Sequence, residues 1–134
     1  MWDKATLLGD LNAKYNAVYC VGERNGWAVG TGGAIVAATG GGRLWRVQRS
    51  GVTADLNDVI FLDRRRGWAV GDDGTIIATQ DGGKTWTEEN SRVIYRLEKI
   101  AYRGGRGWFV GFGGTILSTE GPAAGERPAI TRQP

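Results

Sequence analysis

Gly67-Trp68-Ala69-Val70-Gly71-Asp72-Asp73-Gly74-Thr75-Ile76-Ile77-Ala78-Thr79-Gln80-Asp81-Gly82-Gly83-Lys84-Thr85-Trp86 decides the fold, because it is one of three versions of a single phrase. Gly-Trp-Ala-Val-Gly stands at 26–30 and again at 67–71, and Gly-Trp-Phe-Val-Gly stands at 107–111, so the tryptophans are 41 and 40 residues apart. Trp45 and Trp86 repeat at the same step, with Gly33-Ala34-Ile35, Gly74-Thr75-Ile76 and Gly114-Thr115-Ile116 in phase. Two independent markers at one period define an internal repeat of about 40 residues.

That period suits a four-stranded propeller blade, and helical repeats have similar lengths. The segments separate the two. In the middle repeat Asp58 to Leu62, Trp68 to Val70, Thr75 to Thr79 and Thr85 to Thr87 are short, rich in β-branched and aromatic residues, and closed by Gly or Asp. They are too brief and too glycine-interrupted for helices. Val59-Ile60-Phe61-Leu62 is continuously apolar, as expected of a strand covered on both faces, whereas Trp86-Thr87-Glu88-Glu89 is polar, as a rim strand should be. The expected fold is all-β: three four-stranded antiparallel blades of a partial β-propeller.

The repeats fall at about 12–52, 53–93 and 94–120, with an N-terminal rim strand at 2–4. Residues 121–134 form a Pro/Gly/Ala-rich tail that holds Pro122, Pro128 and Pro134, and no regular structure is expected there. Three blades cannot close a ring, which needs at least about four. Closure is therefore expected from oligomerisation or from partners. The third repeat shows no rim strand of its own, so the Trp2 strand of another chain is expected to complete it.

Composition narrows the function. Of 134 residues, 23 are Gly and 6 are Trp, which fits short strands joined by tight turns. The absence of His removes the usual general base and the commonest metal ligand. Cys20 is the one cysteine, so no intrachain disulfide is possible, and its apolar neighbours Val18, Tyr19 and Val21 suggest a buried thiol. A net charge of +3 is too mild to imply nucleic acid by itself, and no apolar run is long enough to span a bilayer.

Thr79-Gln80-Asp81-Gly82-Gly83-Lys84-Thr85-Trp86 resembles the Asp-box of bacterial-neuraminidase-type repeats, S/T-x-D-x-G-x-T-W. The structural box residues are then Thr79, Asp81, Gly83 and Trp86. In the first repeat Gly40 takes the Asp position, and in the third Glu120-Gly121-Pro122 replaces the box. The phrase from Gly67 to Trp86 as a whole resembles the blades of the photosystem II stability and assembly factor family, over about Asn16 to Thr119. That resemblance implies a seven-bladed propeller of the thylakoid lumen that binds early photosystem II assembly intermediates. Related sequences also occur in bacteria without a photosystem, so an unrelated Asp-box adaptor is the alternative.

Equivalent positions of a repeat lie on one face of the ring, so the hairpins 22–26, 63–67 and 103–107 share a face, and the third-to-fourth hairpins return to it. That face gathers Arg24, Arg43, Arg64, Arg65, Arg66, Lys84, Arg103 and Arg106 against Glu23, Asp63 and Asp81. Guanidinium and ammonium groups bind carboxylates, the guanidinium bidentately, so these eight are the candidate contacts for an acidic protein partner, for which the resemblance implies a photosystem II subunit. Solvated turns also favour Arg and Lys, which is the plainer reading. Nucleic acid would need aromatics exposed among the arginines, whereas the Gly-Trp tryptophans stand between small and apolar residues and are expected in the core.

The opposite face carries glycine-rich turns at 30–33, 71–74 and 111–114. They lead into strands and lack a P-loop Lys-Ser/Thr, so they are hairpins. Asp72 and Asp73 could bind Ca²⁺, but two carboxylates without an oxygen-rich loop are a weak signal for it. A glycosidase-like propeller fragment is the less favoured alternative, since a sialidase-like site needs a nucleophilic Tyr with a paired Glu and Tyr15, Tyr19, Tyr95 and Tyr102 show no such pattern. No catalytic residue, metal site or cofactor is expected: the chain reads as a protein-binding module, not an enzyme.

Overall fold

The computed structural model describes residues 6–8, 13–38, 44–120 and 130–132. The strands are β1 (Thr6–Leu8), β2 (Tyr15–Val21), β3 (Asn25–Gly30), β4 (Ile35–Ala38), β5 (Leu44–Gln48), β6 (Leu56–Phe61), β7 (Gly67–Gly71), β8 (Ile76–Thr79), β9 (Thr87–Glu89), β10 (Leu97–Arg103), β11 (Arg106–Gly111), β12 (Ile116–Glu120) and β13 (Ile130–Arg132). Among the described residues there is no α-helix. One 3-10 turn per repeat (Thr31–Gly33, Asp72–Gly74, Phe112–Gly114) links its second strand to its third.

Each repeat is one antiparallel meander: β2-β3-β4-β5, β6-β7-β8-β9 and β10-β11-β12-β13. The fold is all-β, three blades of a propeller. The first strands β2, β6 and β10 lie innermost and contact one another in sequence order. The glycine after each Trp-x-Val is set by space. Gly71 N–H donates to Thr75 O, and the next amide, that of Asp72, donates to Asp55 O at 2.9 Å. A Cβ on Gly71 would stand 2.0 Å from that carbonyl oxygen, and Gly30 and Gly111 meet Lys14 O and Arg96 O in the same way.

The cores lie between blades. Trp27, Val29, Ile35 and Ala37 of the first blade pack on Val59, Phe61, Ala69, Ile77 and Trp86 of the second, with Trp27 stacked on Phe61 at 3.6 Å. Trp68, Val70 and Ile76 pack on Ile100, Phe109 and Leu117 of the third, with Tyr102 at the edge. The middle blade is covered on both sides, so every residue of β7 is buried. Each innermost strand also carries a register irregularity at Asn16, Asn57 or Glu98. From these bulges Asn16 Nδ2 donates to Leu56 O and Asn57 Nδ2 to Leu97 O, so each amide spans to the following blade.

Four expectations need correcting. The tail has a strand: β13 pairs antiparallel with β12, Leu117 opposite Arg132 and Thr119 opposite Ile130. It fills the fourth place of the third blade because β12 would otherwise leave its ladder groups unpaired, and the edge reserved for a Trp2 strand from another chain is thus taken. Residues 2–4 lie outside the described residues. The neighbouring segment β1 instead extends the first blade, pairing parallel with β5, which makes that sheet five-stranded. Cys20 is exposed, because beyond the bulge of β2 Ala17, Tyr19 and Val21 pack towards the middle blade, while Val18 and Cys20 point away from it. Trp108 is 37% exposed where Trp27 and Trp68 are 1% and 2%, because among the described residues no further blade covers the outer face of the third.

Candidate functional site

The hairpins β2–β3, β6–β7 and β10–β11 turn at the same end of the blades, and the box turn of the middle blade joins them there: Gly82 N–H donates to Arg65 O at 2.9 Å. Gly82 and Gly83 take positive φ, which lets the turn fold tightly.

The box is held by its own side chains. Thr79 Oγ1 accepts from Gly83 N–H at 2.9 Å and donates to Asp81 Oδ1 at 2.8 Å. Asp81 in turn accepts from Thr85 N–H at 2.9 Å and from Thr85 Oγ1 at 2.6 Å. Burial pushes the Asp81 carboxyl up, but the hydroxyls of Thr85 and Thr79 and the amides of Thr85 and Asp81 outweigh it and hold the group below the usual aspartate range. Trp86 packs edge-on to Phe61 and donates through Nε1 to Gln48 Oε1 at 3.2 Å. Gln48 Nε2 and Trp27 Nε1 both donate to Gly82 O, at 3.1 and 2.9 Å. The turn of one blade is therefore bolted to its predecessor. Gln48 is a member of this joint that sequence reading missed, since its position follows no motif.

The hairpin 63–66 is built likewise. Asp63 Oδ1 accepts from the amides of Arg65 and Arg66 at 2.8 Å each, and Oδ2 accepts from Arg66 Nε at 3.0 Å and Nη2 at 2.9 Å. Burial raises the Asp63 carboxyl, and those amides with the guanidinium lower it further than burial raises it. Arg66 is thus engaged within the turn, while Arg64 and Arg65 are exposed. Arg106 lies over the Trp108 ring at 5.8 Å and contacts Ser118, so it too has local partners. Arg24, Lys84 and Arg103 are exposed, and Arg43 lies outside the described residues. Arg24, Arg64, Arg65, Lys84 and Arg103 have no carboxylate partner among the described residues.

At the opposite end Asp72 Oδ1 accepts from Asn57 Nδ2 at 3.0 Å, which gives this carboxylate a bond inside the blade. Among the described residues no three His, Cys, Asp or Glu side chains converge on a metal position, and no helix is long and apolar enough to cross a membrane. Trp27 and Trp68 are buried and offer no ring for stacking a base.

A family model described as Photosynthesis system II assembly factor YCF48 matches residues 44–127. No curated protein matches the chain. Among solved structures, "YCF48 bound to D1 peptide" is similar at a TM-score of 0.70 and 22% identity, over 88% of this chain and 39% of that one. YCF48 from Cyanidioschyzon merolae is similar at a TM-score of 0.70 and 23% identity, over 85% of this chain and 39% of that one. At such identities the likeness is one of fold, and this chain spans well under half the length of either structure.

Proposed function

Because the chain belongs to the Photosynthesis system II assembly factor YCF48 family, we propose that it is a non-catalytic docking module that binds a carboxylate-bearing segment of a photosystem II subunit in the thylakoid lumen. The observation that carries this reading is the gathering of exposed Arg24, Arg64, Arg65, Lys84 and Arg103 at one end of the blades, with the turns of Arg64, Arg65 and Lys84 fixed by Asp63 and Asp81. The planar guanidinium fork loses little entropy per hydrogen bond to a carboxylate, and clustered like charge attracts an acidic segment before contact. Arg66 and Arg106 serve the turns themselves, and Thr79, Asp81, Gly83 and Trp86 hold the face in shape. The similar YCF48 structure is bound to a D1 peptide, which makes such a peptide the first ligand to try.

The test is titration of a D1 peptide into the chain and into a variant with Arg24, Arg64, Arg65, Lys84 and Arg103 replaced by Ala. The wild type is expected to bind with an affinity that falls as salt rises. The variant should lose at least about tenfold in affinity and most of that salt dependence. Equal affinity in a folded variant would overturn the docking face, and absence of wild-type binding would turn the reading towards an adaptor for a different partner.

A further inference from the structure

Beside the basic turns the innermost strands leave an apolar hollow. Tyr19 of β2, Ile60 of β6 with Leu62 just past its end, and Ile100 and Tyr102 of β10 line a cleft of about 480 Å³, and no charged residue is among those that line it. Each comes from the first strand of its blade or the residue that follows it, so the hollow lies where these strands enter the hairpins 22–26, 63–67 and 103–107. All five side chains face joints inside the chain. Tyr19 packs against the core between the first and second blades, and the other four against the core between the second and third. Ile100 is buried and the others are half-buried, so apolar surface is left over at joints that are already complete.

We infer that this hollow receives one bulky apolar side chain, Leu-like or Phe-like, of an extended peptide whose nearby carboxylate meets Arg64, Arg65 or Arg103. The site rests on the docking face proposed above and adds what charge alone cannot supply there, a choice among acidic segments. The occupant follows from complementarity. Arg24, Arg64, Arg65 and Arg103 have no carboxylate partner among the described residues, while the hollow next to them offers only rings and aliphatic chains. Its volume falls within the roughly 300–1,000 Å³ of small-ligand sites.

The spacing of the two features sets the spacing in the peptide. Tyr102 is followed directly by Arg103, and Leu62 stands two residues before Arg64. An extended chain advances about 3.3–3.6 Å per residue, so an apolar side chain in the hollow puts a carboxylate about one to three residues away within reach of these guanidinium groups. Charge draws any acidic chain to the face and is screened by salt, whereas apolar burial scales with area and is not ionic.

Titration of peptides into the full chain, followed by NMR, tests this. The probes are N-acetylated, C-amidated hexapeptides on a Gly-Ser background: one with Phe and Glu two residues apart, one with Ala for the Phe, and one with Gln for the Glu. The first should bind at least about tenfold more tightly than the second, and its ring should shift the methyl resonances of Ile60 and Leu62. That preference for Phe should persist as salt rises and in the chain carrying Arg64→Ala and Arg65→Ala, whereas the preference for Glu over Gln should shrink in both. Equal affinity for the Phe and Ala peptides with the Glu preference intact overturns the hollow and leaves the basic face standing. A Phe preference that leaves Ile60 and Leu62 unmoved places the contact elsewhere and overturns it too. A Phe preference without any Glu preference overturns the pairing with the basic face, and no binding of any probe at millimolar concentration overturns the hollow and the face together.

Discussion

Trp27 Nε1 donates to Gly82 O at 2.9 Å across 55 residues of sequence, which bonds the marker tryptophan of one blade to the box turn of the next. Trp68 occupies the equivalent position one blade on and is as buried, yet its Nε1 has no partner among the described residues. In the sequence of the third repeat, Glu120-Gly121-Pro122 stands where the second repeat has its box. A buried donor without an acceptor costs about 1–3 kcal/mol.

Two substitutions of equal size should therefore differ in effect. Trp27→Phe removes a made hydrogen bond, leaving Gly82 O with Gln48 alone, whereas Trp68→Phe removes an orphan donor while losing the same ring volume. Urea unfolding should show Trp27→Phe less stable than Trp68→Phe by about 1–2 kcal/mol. The reverse order would mean that Trp68 Nε1 is satisfied after all.

Gly71→Ala should destabilise by about 1–3 kcal/mol or more, since the added methyl meets the Asp55 carbonyl oxygen at 2.0 Å and backbone has to move. The φ of Gly71 is −162°, extended and open to any residue, so the demand is purely for space. Gly22→Ala is the contrast: nothing lies within 4 Å there, and the loss is the strain of φ +64° alone, about 1–2 kcal/mol. Melting temperatures of the two variants measure the difference, and a Gly71→Ala protein with wild-type stability would contradict the close approach.

How far the sequence reaches is visible in these same residues. Period, strand type and blade count could be read because Gly-Trp-x-Val-Gly serves one geometry three times, its last glycine demanded by a neighbouring carbonyl. The ends were misread because repeats describe interiors: Cys20 and Trp108 occupy positions that are core in a middle blade and surface at an end. The strand Ile130–Arg132 was missed because Pro122 and Pro128 dominate the tail's composition, while a vacant ladder on β12 rewards any chain that reaches it. For the candidate face, the clustering of Arg and Lys was legible. Which of them are committed was not, because Asp63 selects Arg66 through turn geometry that composition does not encode.

Acid should weaken the box turn in a defined window. The folded-state Asp81 carboxyl lies below its unfolded value, so its contribution is complete above the unfolded pKa of about 3.9 and is lost as pH falls through the folded value. Asp63 behaves the same way. Stability is expected to be flat with respect to these two groups from pH 7 down to about 5, then to fall. Asp81→Asn should be less stable at pH 7 and show a shallower acid slope. An unchanged slope in Asp81→Asn would show that its carboxylate does not contribute to the acid limb.

The last prediction separates the arginines of one hairpin. Arg64 and Arg65 are exposed, whereas Arg66 places two N–H groups on Asp63 Oδ2. Replacing Arg64 and Arg65 by Ala should leave stability within about 0.5 kcal/mol of wild type, because exposed charges away from a structural feature contribute little. Partner affinity should fall, and with it the salt dependence. Replacing Arg66 alone breaks the Asp63 pair, which is about 40% exposed on both sides, so the stability loss is limited to roughly 0–1 kcal/mol. Without the guanidinium the Asp63 carboxyl should titrate higher, readable as a shift of its side-chain resonance in a pH series. Binding should then change by less than in the double variant, since the turn still presents Arg64 and Arg65. If Arg66→Ala impairs binding more than the loss of both neighbours, Arg66 is itself a contact and the Asp63 pair opens when the partner arrives.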